Sequence, residues 1–141
     1  MNGLKNIKIT LVEAGAGSAG TELTSDSVDM EDFDGVMFVG SIATANAGNY
    51  GKAAQSSDDG VADAFSDLEG SKNVPGTNGH SFLIDIYKPL KRYVRCAVIR
   101  AGANTITGDI YAIQYCAAKA PISQGATING ELHISPAEGT A

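Results

Sequence analysis

The side chains able to do chemistry are few and stand apart from one another. The densest group is acidic: Asp58, Asp59, Asp63, Asp67 and Glu69 fall in one short stretch. Oxygen ligands so close together could wrap a hard cation, but they lack the one-three-five order and the closing glutamate of an EF-hand loop. A solvated acidic loop is expected there instead. His80 follows Gly79 in a turn and His133 lies between Leu132 and Ile134. Neither has the His-x-x-x-His or Cys-x-x-Cys company that zinc requires, and single histidines in such places are expected at the surface rather than as general bases. Gly15, Gly17 and Gly20 spell Gly-x-Gly-x-x-Gly, yet the Thr21-Glu22-Leu23-Thr24 that follows is polar and β-prone. Without a helix N-terminus no phosphate would be cradled. These residue types at these spacings name no catalytic, metal or cofactor-binding residue, so neither an enzyme nor a cofactor is expected.

One charge feature remains. Lys88, Lys91, Arg92, Arg95 and Arg100 are five of the ten Lys and Arg, gathered in a chain of net charge −6 and flanked by Tyr87 and Tyr93. The overall negative charge would be repelled by phosphate backbones, so a nucleic acid partner is not expected. A basic patch on an acidic protein suits an acidic partner surface, where charge guides register, and Tyr and Arg are enriched at interface centres. The alternative is a solvated turn.

The elements that must position this cluster are short strands. Ser81 to Arg100 holds the densest apolar pattern: Phe82, Ile84 and Ile86 alternate with Leu83, Asp85 and Tyr87, Pro89 ends the run, and Val94, Cys96 and Val98 resume it. Two strands joined by a turn, a central hairpin, are expected. Leu4 to Val12 alternates as a first strand, and Thr21 to Val28 suits a sheet edge. Gly35 to Gly40 is apolar on both faces, as in a central strand covered on both sides. Asn49 to Ser56 suggests a thin strand. The loop from Ser56 to Ser71 carries a short strand in preference to a helix through Val61, Ala64, Phe65 and Leu68. Asp109 to Ala118 and Thr127 to Ile134 make the last two.

With 141 residues the chain is one domain, able to bury roughly two-thirds of its unfolded surface without a staple. Seventeen glycines among short apolar bursts give an all-β class: an antiparallel β-sandwich with extended terminal arms, residues 1–6 and 135–141. Cys96 and Cys116 lie in consecutive strand-like runs and could face each other, although two small buried thiols are the simpler expectation. No apolar core of signal-peptide length opens the chain, and no stretch approaches the roughly 20 apolar residues that span a bilayer. Synthesis in the cytoplasm and no membrane partner are expected.

The segments DFDGVMFVGSI, AFSDLEGS, FLIDIYKPLKRYVRCAVIR, GDIYAIQYCAAKAPI and HISPAEGTA resemble a family of small structural proteins of tailed bacteriophages. The resemblance spans about Ile7 to Ala141, and its motifs are structural. At Gly60 to Ala64 the chain departs from the shorter pattern of the family. The resemblance implies a jelly-roll-like virion protein, most plausibly a capsid decoration or cement protein. Such a protein binds the outer surface of the major capsid protein shell as a homotrimer and stabilises the head without catalysis. Contact residues expected on that basis and from the basic turn are Lys88, Lys91, Arg92, Tyr93, His133, Ile134, Pro136 and Glu138. A head-to-tail connector or tail-tube protein is the first alternative, and a carbohydrate-binding adhesion module the second, weakened by the lack of Trp.

Overall fold

The computed structural model describes residues 3–135 and 137–138. A helical turn, α1 (Gly3–Asn6), precedes the strands β1 (Lys8–Glu13), β2 (Ala16–Ala19), β3 (Leu23–Thr24), β4 (Val28–Asp29) and β5 (Phe33–Thr44). There follow β6 (Tyr50–Ser56), β7 (Ser66–Asp67), β8 (His80–Tyr87), β9 (Tyr93–Ile99), β10 (Thr105–Thr107) and β11 (Ile110–Ala117). All pairings are antiparallel.

One sheet is built on β5, which pairs β8 along one edge and β11, then β10, along the other; β1 and β2 add to β11 and β10. The second sheet runs β3 and β4, then β9, β6 and β7. If β1 with β2, β3 with β4, and β10 with β11 are each taken as one bent strand, the sheet orders become 1-8-3-6 and 2-7-4-5. That is a jelly roll, an all-β sandwich in which the chain changes sheet at nearly every connection.

The reason lies in the alternation. Val36, Phe38, Ile42, Phe82, Ile84, Ile110 and Ala112 from the first sheet face Val28, Ala53, Val94, Cys96 and Val98 from the second, in one buried cluster. Each strand offers one apolar row, and two sheets close over both rows.

Several expectations need correction. Ser81 to Arg100 is not a hairpin: β8 pairs β5 and β9 pairs β6, so the Pro89 turn carries the chain from one sheet across the core to the other. The apolar rows of the two strands are the same in an arch as in a hairpin, which is why alternation alone does not separate them. Residues 127–134 form no strand. Cys96 and Cys116 are free and lie in opposite sheets; Cys96 is buried, whereas Cys116 is exposed at a left-handed φ of 52° near the end of β11. Within the expected N-terminal arm, α1 is tied down: Gln124 Nε2 donates to the carbonyls of Leu4 and Ile7, its Oε1 accepts from Ile9 N–H, and Ile122 N–H donates to Lys5 O. The bond to Ile9 N–H engages the free edge of β1 at its start, where unpaired backbone would otherwise invite another strand. β5 is central in its sheet, but only one of its faces lies in the core.

Candidate interaction surface

The Lys88 to Arg92 turn is pinned from several sides. Lys88 sits at a φ of 52° and its N–H donates to Asp34 O at 2.6 Å. Gln55 Oε1 accepts from both Leu90 and Lys91 N–H, and Arg92 O accepts from Met30 N–H. A groove of about 400 Å³ runs beside the turn, lined by Met30, Phe33 and Asp34 on one wall and Lys88 to Arg92 on the other. The turn is thus a fixed projection, with Leu90 at its tip 92% exposed.

Its positive charge is largely matched within the chain. Lys91 Nζ lies 2.7 and 2.9 Å from the two carboxylate oxygens of Asp63, and this pairing, with the Ser57 N–H and hydroxyl, lowers the Asp63 carboxyl to about 2. Arg92 grips Asp29 with two bonds of 2.9 and 2.7 Å, reaches Glu31 at 2.5 Å, and lies over the Tyr93 ring. A bidentate guanidinium of this kind holds the Asp29 carboxyl below its usual range and raises its own. Arg95 stacks on Phe65 at 4.0 Å. Arg100 is buried and donates to Thr21 O, Gly17 O and Thr21 Oγ1, binding the β2–β3 loop to β9. Among the described residues no carboxylate pairs with Lys88; its ammonium rests 5.5 Å from the Tyr87 ring.

The acidic loop has its own internal logic. Asp58 accepts from the N–H groups of Val61, Ala62 and Asp63, Asp63 accepts from Ser57, and Ser27 Oγ donates to Asp59. The carboxylates of Asp58 and Asp63 cap backbone donors of the loop. Among the described residues no group of three or more His, Cys, Asp or Glu could hold a metal ion.

Of the remaining expected contact residues, His133 sits outside any strand, 3.3 Å from Glu131; Ile134 is 82% exposed; Glu138 is exposed. Pro136 lies outside the described residues. No hydrogen bond, ion pair or ring contact among the described residues joins this C-terminal segment to the basic turn, so the two remain separate surfaces.

A third surface was not anticipated. Adjacent residues across the outer face of the first sheet form three rows: Leu83, Val39, Tyr111 and Leu11; Asp85, Met37, Ile113 and Ile9; Tyr87, Gly35 and Tyr115. Tyr115 lies over Gly35, stacks parallel to Tyr87 with ring centroids 6.5 Å apart, and donates its hydroxyl to Asp85 at 2.6 Å. Burial, together with that carboxylate, pushes the Tyr115 hydroxyl above its usual range. On β1 the outward residues Ile9 and Leu11 are more apolar than the inward Lys8 and Thr10, and on β11 Tyr111, Ile113 and Tyr115 outweigh Ile110, Ala112 and Gln114. The signal was present in the sequence as apolar residues on both faces of β5 and β11, whereas β1 alternates with its apolar side turned outward.

No protein-family model matches the chain, and no curated protein matches it. Among solved structures, a chain from Bacillus endospore appendages, described as a novel family of disulfide-linked pili, superposes with a TM-score of 0.46 and 18% sequence identity over 82% of this chain and 92% of that one. A likeness at that level carries no functional inference.

Proposed function

We propose that this chain is a capsid decoration protein of a tailed bacteriophage, a non-catalytic structural subunit that binds the outer surface of the assembled head and stabilises it. The observation that carries the proposal is Leu90, held out from the body on its pinned turn at 92% exposure; Val61 and Ile134 are exposed as well, at 87% and 82%. Large apolar groups presented singly and rigidly, away from the core, suit insertion into pockets of a partner surface. The phage-like segments named above supply the class of partner, the major capsid protein, and the virion as the place of action.

A decoration protein works by mass action: it binds the assembled shell and not the loose subunit, so each copy adds to the free energy needed to open the shell. Many weak contacts suffice, and the site needs no reactive group. Shells stripped of this protein should lose resistance to heat and osmotic shock and regain it when the purified protein is added back. Stripped shells as resistant as decorated ones would remove the role.

A further inference from the structure

We infer that residues 131–135 of one copy add as a strand to the free edge of β8 in a second copy. This rests on the fold alone and not on the virion assignment.

Two halves of a strand pairing are left over in the single chain, and the first is an edge. β8 pairs β5 on one side and no strand of the described residues on the other. Lys88 N–H donates to Asp34 O, so by alternation the backbone groups of Phe82, Ile84 and Ile86 face β5 and those of Leu83, Asp85 and Tyr87 face away. The Leu83 carbonyl accepts from the Asn73 side-chain amide at 3.3 Å. No hydrogen bond among the described residues reaches the N–H or C=O of Asp85 or Tyr87. Two adjoining grooves of about 300 and 310 Å³, which share Glu69, Asp85 and Ile86, run along this edge.

The second half is a segment. Glu131 to Ser135 sets Leu132 and Ile134 in alternation with Glu131, His133 and Ser135, as a strand does, yet it forms no strand and all five residues are exposed. The His133 and Glu131 side chains, 3.3 Å apart, already share one side of it.

One antiparallel register joins the two. With His133 opposite Asp85, Glu131 stands opposite Tyr87 and Ser135 opposite Leu83, so their N–H and C=O groups meet the open groups of β8. Leu132 and Ile134 then fall beside Ile86 and Ile84, on the inward side where half-buried Leu68 lines the groove. Asp85 faces an imidazole, and Glu131 arrives at the end of β8 that Lys88 follows, so the cross-strand charges are complementary. A slip of one residue would turn both apolar side chains away from the groove.

The two halves belong to different copies. A Cβ on Gly130 would stand 2.6 Å from Leu4 Cδ1, which places Gly130 against α1, the turn that leads into β1. β1 and β8 are opposite borders of the first sheet, three strand spacings or about 14 Å apart, whereas Glu131 is only one residue, about 3.8 Å, beyond Gly130. Each copy therefore gives one segment and receives one, a heterologous contact that closes as a ring or continues as a chain. Main-chain bonds supply the affinity, and Leu132 and Ile134 the register.

Sedimentation of the full chain over a concentration series tests this, and reversible association is expected. His133→Pro removes the N–H that would meet Asp85 O, at a residue outside every strand, and should weaken association at least about tenfold. Asp85→Pro removes an N–H that faces away from β5 and should weaken it as much. Each variant keeps the half that the other has lost. Mixed one to one, they should form a two-chain species with an affinity within about threefold of the unaltered contact. Circular dichroism and thermal melts confirm that each variant is folded, and Tyr87→Pro replaces Asp85→Pro if that one is not. A chain monomeric up to about 1 mM, a His133→Pro variant that associates like the unaltered chain, or two folded variants that stay apart when mixed would overturn the inference. Shell binding plays no part in this measurement, so its outcome is independent of the proposed function.

Discussion

Phe82 lies against Gly40, its partner across the β5–β8 pairing, so closely that a Cβ on the glycine would stand 2.5 Å from Phe82 Cζ. The same ring also meets Gly51 of the facing sheet, where a Cβ would be 3.2 Å away. One aromatic side chain thus fills the space that glycines in two sheets leave open, and the strand interior tolerates glycine because a neighbour covers it. Gly40→Ala should therefore destabilise by about 1–3 kcal/mol through overpacking, and Phe82→Ala by about 3–5 kcal/mol through the cavity left behind. Gly17→Ala, where a Cβ meets nothing within 4 Å, is the near-neutral control. Urea midpoints of the three variants check the ranking.

Acid should lower the stability of the protein in a definite window. The Asp63 carboxyl is lowered to about 2 and that of Asp29 is also lowered, each through a basic partner. A carboxyl more acidic in the folded state than in the unfolded chain contributes stability that is complete above the unfolded value, about 4, and is lost as pH falls through the folded value. Stability should thus fall between about pH 4 and pH 2, and Asp63→Asn should flatten that slope. Denaturation midpoints across this range, for both proteins, provide the check; parallel slopes would contradict the assignment.

The two thiols should differ sharply. Burial pushes the Cys96 thiol up to about 12, while Cys116 is exposed. Under native conditions a thiol reagent at pH 8 should titrate one cysteine quickly and the second only on unfolding. Two fast thiols would contradict the placement of Cys96 in the core.

At the basic turn, shape should matter more than charge. Lys91→Met removes an ammonium already matched by Asp63, so shell binding should change less than about threefold, with only a small loss of stability because exposed ion pairs contribute little. Leu90→Asp keeps the turn's backbone bonds to Gln55 and should weaken shell binding at least about tenfold. Pelleting with stripped shells measures both. A stronger effect from Lys91→Met than from Leu90→Asp would return the contact to the basic cluster.

The strand content of the chain was legible because alternation is a local property: the inward rows Phe82, Ile84 and Val94, Cys96, Val98 are those of the core. Pairing was not legible, since β8 finds β5 and β9 finds β6 through turns and cross-sandwich contacts that no short window contains. The last expected strand failed for a related reason. Residues near Gln124 serve the edge of β1 through one side-chain amide, and Ile134 is left in solvent. The basic cluster was visible as composition, but its partners Asp29 and Asp63 lie far away in sequence, so its matching within the fold was hidden. The outer apolar face was written in β5 and β11 as two-sided strands and in β1 as plain alternation, and only the register shows that their rows are contiguous and that the apolar side of β1 faces outward.

Counting and locating this chain in purified virus particles tests the central proposal most directly. A decoration protein should be present in hundreds of copies per particle, with its density on the outer surface of the head. About six copies or a small multiple of six, located at the neck or tail, would contradict it and assign the chain to a connector or tail tube.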